Sequence, residues 1–118
     1  MAELRVKLEL KEYENAKLYH RVGIMNGDPN YKSAVVSLTN FEKNFPDSKY
    51  LEEVGFLKIE SQYLLAKNSI DKLKKERFQE VVNFYEKYVD KYVEGRFIKQ
   101  AEKLYSDSVK ELGQIASK

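Results

Sequence analysis

The feature of this sequence that most restricts its fold is an internal repeat. Setting Tyr31 over Phe78 places Ala34 on Val81, Val35 on Val82, Leu38 on Tyr85, Phe41 on Tyr88 and Phe45 on Tyr92. Every pairing sets an apolar or aromatic residue against its like. The register then continues past the helix end: Asp47 meets Glu94, Lys49 meets Arg96, Tyr50 meets Phe97, Leu51 meets Ile98 and Val54 meets Ala101. Two unrelated amphipathic helices share i, i+3, i+4, i+7 spacing by necessity. They have no reason to keep register through a loop and into the next helix. The matches are of class and not of identity, as expected where packing is repeated and sequence has drifted.

The helix breakers fall between periodic segments and divide the chain into five predicted helices. The first runs from about Glu3 to Met25 and stops at the turn cluster Asn26-Gly27-Asp28-Pro29-Asn30. The second runs from Tyr31 to Phe45 and stops at Pro46. Asp47 and Ser48 are placed to cap the third, with Glu52 and Glu53 in its first turn at the positive end of the helix dipole. That helix extends to about Asn68, and a lysine-rich connection from Asp71 to Lys75 leads into the fourth, which ends near Tyr92. Gly95 separates it from a last helix, Arg96 to Ala116. No segment alternates long enough between turn signals to predict a strand. The expected organisation is one all-α domain spanning 1–118, with helix-pair units at 3–45 and 48–92 and a capping helix at 96–116.

Sorting apolar positions at about 100° per residue separates one-faced from two-faced helices. The second and fourth each carry a single main stripe. The third carries two: Tyr50, Val54, Leu57, Leu64 and Leu65 on one side, and Phe56, Ile59, Tyr63 and Ala66 nearly opposite. A helix apolar on opposed faces needs neighbours on both, as the inner helix of a stacked array has. The first helix has the same pattern, with Leu4, Leu8, Leu18, Tyr19 and Val22 on one face and Val6, Leu10, Tyr13, Ala16 and Ile24 on the other. No preceding helix covers one of them. Either the array continues upstream, or that face closes a homodimer or docks on a partner. In the last helix Phe97, Ile98, Ala101, Leu104, Tyr105, Leu112 and Ile115 form one face, opposite Lys99, Lys103, Ser106, Lys110, Gly113 and Gln114. A one-faced terminal helix is how a solenoid ends in water.

Composition removes most catalytic chemistry. A chain of 118 residues can bury ~65% of its unfolded surface, so it can hold a core without staples. It has no cysteine, which excludes disulfides, thiolate metal sites and thiol nucleophiles. Its one histidine, His20, leaves no second imidazole for a metal and has no motif supplying an orienting partner and a nucleophile. It reads as a surface or interfacial residue. The pairs Glu52-Glu53 and Glu12-Glu14 do not converge on one helix face. No glycine-rich phosphate loop is present. With 21 basic and 19 acidic residues there is no nucleic-acid footprint. The Lys72, Lys74, Lys75, Arg77 cluster is short and interrupted by Glu76, so it reads as a solvated connection. Of the nine tyrosines, Tyr19, Tyr31, Tyr50, Tyr63, Tyr85 and Tyr88 fall on packing stripes. We therefore expect no catalytic, metal or cofactor site. No stretch approaches a membrane span, and the opening residues mix charges with aliphatics unlike a signal peptide.

The spacing Tyr31, Ala34, Leu38, Phe41, Pro46 resembles the second-helix half of the tetratricopeptide (TPR) repeat. There a small residue lets the two helices approach and large ones fill the gap to the next repeat. The second copy, Phe78, Val81, Tyr85, Tyr88, departs by carrying valine at the small position and Val93 where the proline belongs. The segments from Leu4 to Leu8, Tyr13 to Tyr19, Tyr31 to Val36 and Asn44 to Tyr50 resemble the C-terminal half of the BamD (ComL/YfiO-type) family of outer-membrane assembly lipoproteins. The segments Tyr63 to Ser69 and Glu76 to Gln79 resemble its longer-tailed members. That resemblance implies a TPR-like α-solenoid in the periplasm, lipid-anchored through an N-terminal cysteine absent from this sequence. It also implies a non-catalytic scaffold that binds BamA and other assembly-machinery subunits. A periplasmic or cytoplasmic TPR adaptor that takes a peptide or protein tail is the alternative.

Overall fold

A computed structural model describes residues 2–26 and 30–117. Five helices follow one another: α1 (Ala2–Asn26), α2 (Asn30–Asn44), α3 (Leu51–Lys67), α4 (Asp71–Lys91) and α5 (Ile98–Ala116). Among the described residues there is no strand. The predicted turn at Gly27 to Pro29 and the side chain of Ile24 lie outside the described residues.

Each helix packs against its neighbours in sequence, and α3 additionally packs against both α1 and α5. Among the described residues the backbones of α2 and α4 do not approach each other closely. The odd-numbered helices thus form a continuous row with α2 and α4 laid separately along it, giving a body of 56 × 31 × 20 Å. α3 is enclosed because it meets all four other helices, and ten of its residues are buried. Leu38, Phe41, Val54, Ile59, Phe78 and Val81 are essentially inaccessible, as their positions on the predicted stripes require.

The repeat in sequence returns as repeated geometry. Ahead of α3, the N–H of Ser48 donates to Phe45 O (3.1 Å), that of Leu51 to Ser48 O (3.4 Å) and that of Val54 to Tyr50 O (2.9 Å). Ahead of α5 the matching residues do the same: Gly95 to Tyr92 O (3.1 Å), Ile98 to Gly95 O (3.2 Å) and Ala101 to Phe97 O (2.9 Å). The Phe41–Phe45 ring pair, with centroids 5.1 Å apart, recurs as Tyr88–Tyr92 at 5.0 Å. Tyr50 stacks on Tyr13 of α1 at 4.0 Å, and its counterpart Phe97 stacks on Phe56 of α3 at 5.0 Å. Class-level matches suffice because each position needs a flat apolar ring rather than a particular one.

Several boundaries differ from expectation. α3 starts at Leu51 and α5 at Ile98 because the turn just described occupies the residues before each. Neither Asp47 nor Ser48 caps α3: Tyr50 holds the N-cap position without a side-chain cap bond, and Ser48 Oγ instead accepts the N–H of Tyr50 at 3.0 Å within the preceding turn. The lysine-rich stretch is not a connection. α4 begins at Asp71, and Lys72 to Arg77 are helical, since no Gly or Pro interrupts them and Lys, Leu, Glu and Arg are strong helix formers. Only Asn68, Ser69 and Ile70 link α3 to α4, with Ile70 in extended backbone.

Candidate interaction surface

The polar groups that come together do so between α1 and α3. His20 is buried, its Nδ1 2.8 Å from Ser61 Oγ and its Nε2 2.8 Å from Glu60 Oε1. About two turns along this seam, Tyr13 donates its hydroxyl to Glu53, whose other oxygen is 3.3 Å from Lys17 Nζ. Burial first, then the Glu53 carboxylate, raises the Tyr13 phenol above its ordinary value. The sequence treats His20 as a residue without partners, and the fold supplies both. The constellation has the residue types of a serine triad, yet Ser61 is fully buried. A nucleophile must be reachable by its substrate and face an oxyanion site. The three groups satisfy one another's hydrogen bonds instead, and they fix the register of α1 along α3.

The opposite side of α1 carries the main departure from an ordinary protein surface. The two stacking pairs set Tyr13 and Phe56 at equivalent stations on α1 and α3, which allows residue-by-residue comparison. Leu8, Leu18 and Tyr19 then correspond to Leu51, Ser61 and Gln62. Leu8 is 52% exposed where Leu51 is 9%, Leu18 is 53% where Ser61 is 0%, and Tyr19 is 44% where Gln62 is 6%. Leu4 continues the exposed row at 67%. A cleft of about 480 Å³ lies between Leu4, Arg5, Leu8, Glu12, Asn44 and Phe45. A second, of about 300 Å³, lies between Asn15, Leu18, Tyr19 and Val22. Glu12 Oε2 is inaccessible and has no hydrogen-bond partner among the described residues. Contiguous exposed apolar surface is a general mark of interaction sites.

This row is the predicted uncovered face, with two corrections. Tyr19 belongs to it and not to the packed tyrosines. On the other face, Tyr13 and Ala16 are buried, but Val6 and Leu10 are exposed. Tyr13 sits level with Tyr50, the residue just before α3 begins, so the first turns of α1 extend past α3. There Arg5 reaches the turn that follows α2, pairing with Asp47 at 3.1 Å.

The repeat residues fall where packing demands: Tyr31, Ala34, Leu38, Phe41, Phe78, Val81 and Tyr88 are buried. Tyr85 is half-buried and stacks on Tyr105 at 4.4 Å, while Pro46 is exposed at the turn. Burial pushes the Tyr88 phenol up to about 12, with Glu52 and Tyr92 adding to it and Arg96 opposing. α5 keeps its polar side in water: Lys99, Lys103, Ser106, Lys110, Gly113 and Gln114 are all exposed. Within the lysine cluster, Arg77 turns inward to donate to Ser69 Oγ at 2.6 Å and Lys74 lies 3.8 Å from Asp71. Only Lys72, Lys75 and Glu76 are fully exposed.

Ser61, Gln62 and Ser108 are the buried polar residues that periodicity did not single out. Ser61 and Gln62 interrupt apolar stripes of α3, a signal that each has a partner: His20 for Ser61, and Arg77 O at 3.0 Å for Gln62 Nε2. Ser108 Oγ has none. Among the described residues no group of three or more His, Cys, Asp or Glu could hold a metal ion, and no helix is long and apolar enough to cross a membrane. No protein-family model matches the chain, and no curated protein matches it.

Proposed function

We propose that this chain is a non-catalytic protein–protein interaction scaffold, built as a TPR-like α-solenoid whose outer α1 face takes a partner protein. The observation that carries the reading is the exposed row Leu4, Leu8, Leu18, Tyr19, of which the last three stand at stations that α3 keeps covered. The row of odd-numbered helices, the turn repeated before α3 and α5, and the polar outer side of α5 support the solenoid architecture. The His20, Ser61, Glu60 cluster supports a non-catalytic reading, because its hydroxyl is sealed and its groups are mutually satisfied.

The finer form of the proposal is a periplasmic component of outer-membrane β-barrel assembly, similar to BamD and binding a BamA-type subunit. It rests on the motif resemblance alone. The wider form, an adaptor that binds a peptide or protein tail, needs only the helical row and the uncovered face. Titration calorimetry against the purified periplasmic domain of a BamA-type protein separates the two. Binding that is lost in Leu8→Glu/Leu18→Glu, with helicity retained, supports the finer form. Absence of binding by the parent chain leaves the wider form. The scaffold reading through α1 is overturned if the BamA-type domain binds the parent chain and this double variant equally well.

A further inference from the structure

A second surface, remote from the α1 row, is built by the gap between α2 and α4. Because the backbones of these helices stand apart, a cleft of about 300 Å³ opens between them over α3. Its apolar walls are Pro46, Leu51, Phe84, Tyr88 and Tyr92, with Gly55 in the floor. The floor is shaped by the absence of a side chain: a Cβ on Gly55 would lie 2.9 Å from the Tyr88 ring. The rim carries Glu42, Lys58, Lys87 and Lys91. Glu42 is taken by Lys58, whose Nζ is 2.6 Å from it and 4.4 Å from the centre of the Phe84 ring. Lys87 and Lys91, one turn apart on α4, are exposed and have no carboxylate partner among the described residues. The ammonium of Lys91 rests over Tyr92 at 5.8 Å. The rim therefore holds two uncompensated positive charges beside a hollow suited to one large apolar side chain.

We infer that this cleft docks an acidic linear segment of a partner protein, seating an aromatic or aliphatic side chain on Phe84, Tyr88 and Tyr92 and placing flanking carboxylates on Lys87 and Lys91. Charge complementarity selects the occupant. Two lysines beside an apolar hollow match alternating carboxylate and apolar side chains. A nucleic acid strand would need a longer cationic track with stacking platforms along it. A phosphate would favour a bidentate arginine fork, and no arginine lines this cleft. The inference rests on the scaffold reading of the chain, but not on which partner takes the α1 face.

The test is fluorescence anisotropy of the full chain with a fluorescein-labelled Glu-Asp-Phe-Asp-Glu peptide. Controls are its Gln-Asn-Phe-Asn-Gln counterpart and a version with Gly for Phe. The acidic peptide should bind, with both controls ~10-fold weaker or more, and its affinity should fall as salt rises. Lys87→Glu/Lys91→Glu should weaken binding by ~10-fold or more at an unchanged melting temperature. Lys72→Glu/Lys75→Glu, on the exposed part of the other basic cluster, should bind like the parent. Leu8→Glu/Leu18→Glu should also retain the peptide, so that loss of the α1 partner and loss of the peptide are separate results. The inference is overturned if the acidic peptide does not bind, if the amide peptide binds as well, if the α4 charge reversal changes nothing, or if anionic vesicles bind at this rim and the peptide does not.

Discussion

α1 and α3 are the same kind of helix in two different situations. Both carry apolar residues on opposed faces, both present an aromatic ring at the same station, Tyr13 and Phe56, and both receive the ring that precedes the next odd-numbered helix. α3 has α2 and α4 alongside it and α1 and α5 to either side. Among the described residues α1 meets only α2 and α3. The same amphipathic pattern thus makes a core in one place and a surface row in the other. Burial is a property of what surrounds a helix, while periodicity states only what the helix requires.

Substitutions can break that comparison, and the largest effect belongs to the covered helix. Ile59→Ala should destabilise by about 2–5 kcal/mol, as a fully buried aliphatic does. Leu8→Ala, on the open face, should cost no more than ~0.5 kcal/mol. Urea unfolding of both variants reads the contrast directly, and equal losses would show that α1 is covered in solution.

The seam between the two helices comes next. His20→Ala removes the partner of a buried hydroxyl and of the Glu60 carboxylate, at a cost of roughly 1–3 kcal/mol by the same measurement. A loss near zero would mean that α1 is not held along α3 by this cluster.

Two helical glycines sharpen the difference between enclosed and open positions. Gly55→Ala gains about 1 kcal/mol of helix propensity but drives a Cβ into the Tyr88 ring, so a net loss of roughly 1 kcal/mol is expected. Gly113→Ala, with nothing within 4 Å of its Cβ position, should stabilise by up to ~1 kcal/mol. Melting temperatures moving in opposite directions are the expected result.

The smallest effect at neutral pH is electrostatic. Tyr88 titrates near 12 in the folded chain against an ordinary value of 10.0. The folded state therefore holds the phenolic proton when the unfolded chain has begun to lose it. This contribution is complete below pH 10 and falls away as the pH rises towards 12. Tyr13, Tyr63, Tyr85 and Tyr92 are raised as well, so tyrosinate absorbance should show several late-titrating groups, of which the component near 12 is removed in Tyr88→Phe. If that component persists in the variant, the assignment is wrong.

Much of this was legible in the chain. The stripe from Tyr31 to Phe45 and that from Phe78 to Tyr92 read as one-faced helices, and their main positions are buried. The two-sidedness of α3 and the one-sidedness of α5 were equally plain, because both depend on a 3.6-residue period and little else. The helix starts at Leu51, Asp71 and Ile98 were not, since capping residues, turns and lysine-rich first turns share one local vocabulary. Val6 and Leu10 were misassigned because periodicity has no knowledge of where a neighbouring helix begins. Ser61 and Gln62 were passed over because a polar residue inside an apolar stripe declares a need for a partner without naming it.

By itself, then, the sequence determined the helical period, the repeat and which helices demand two neighbours, since these follow from residue spacing and side-chain class. Only the tertiary structure decided which demand was met. It placed His20 between Ser61 and Glu60, left Leu4, Leu8, Leu18 and Tyr19 uncovered, and held α2 and α4 apart to open a cleft over Gly55. The reason is physical: residues 41 positions apart meet only when helices pack, and packing depends on the relative lengths and offsets of several helices at once, which no single stripe encodes.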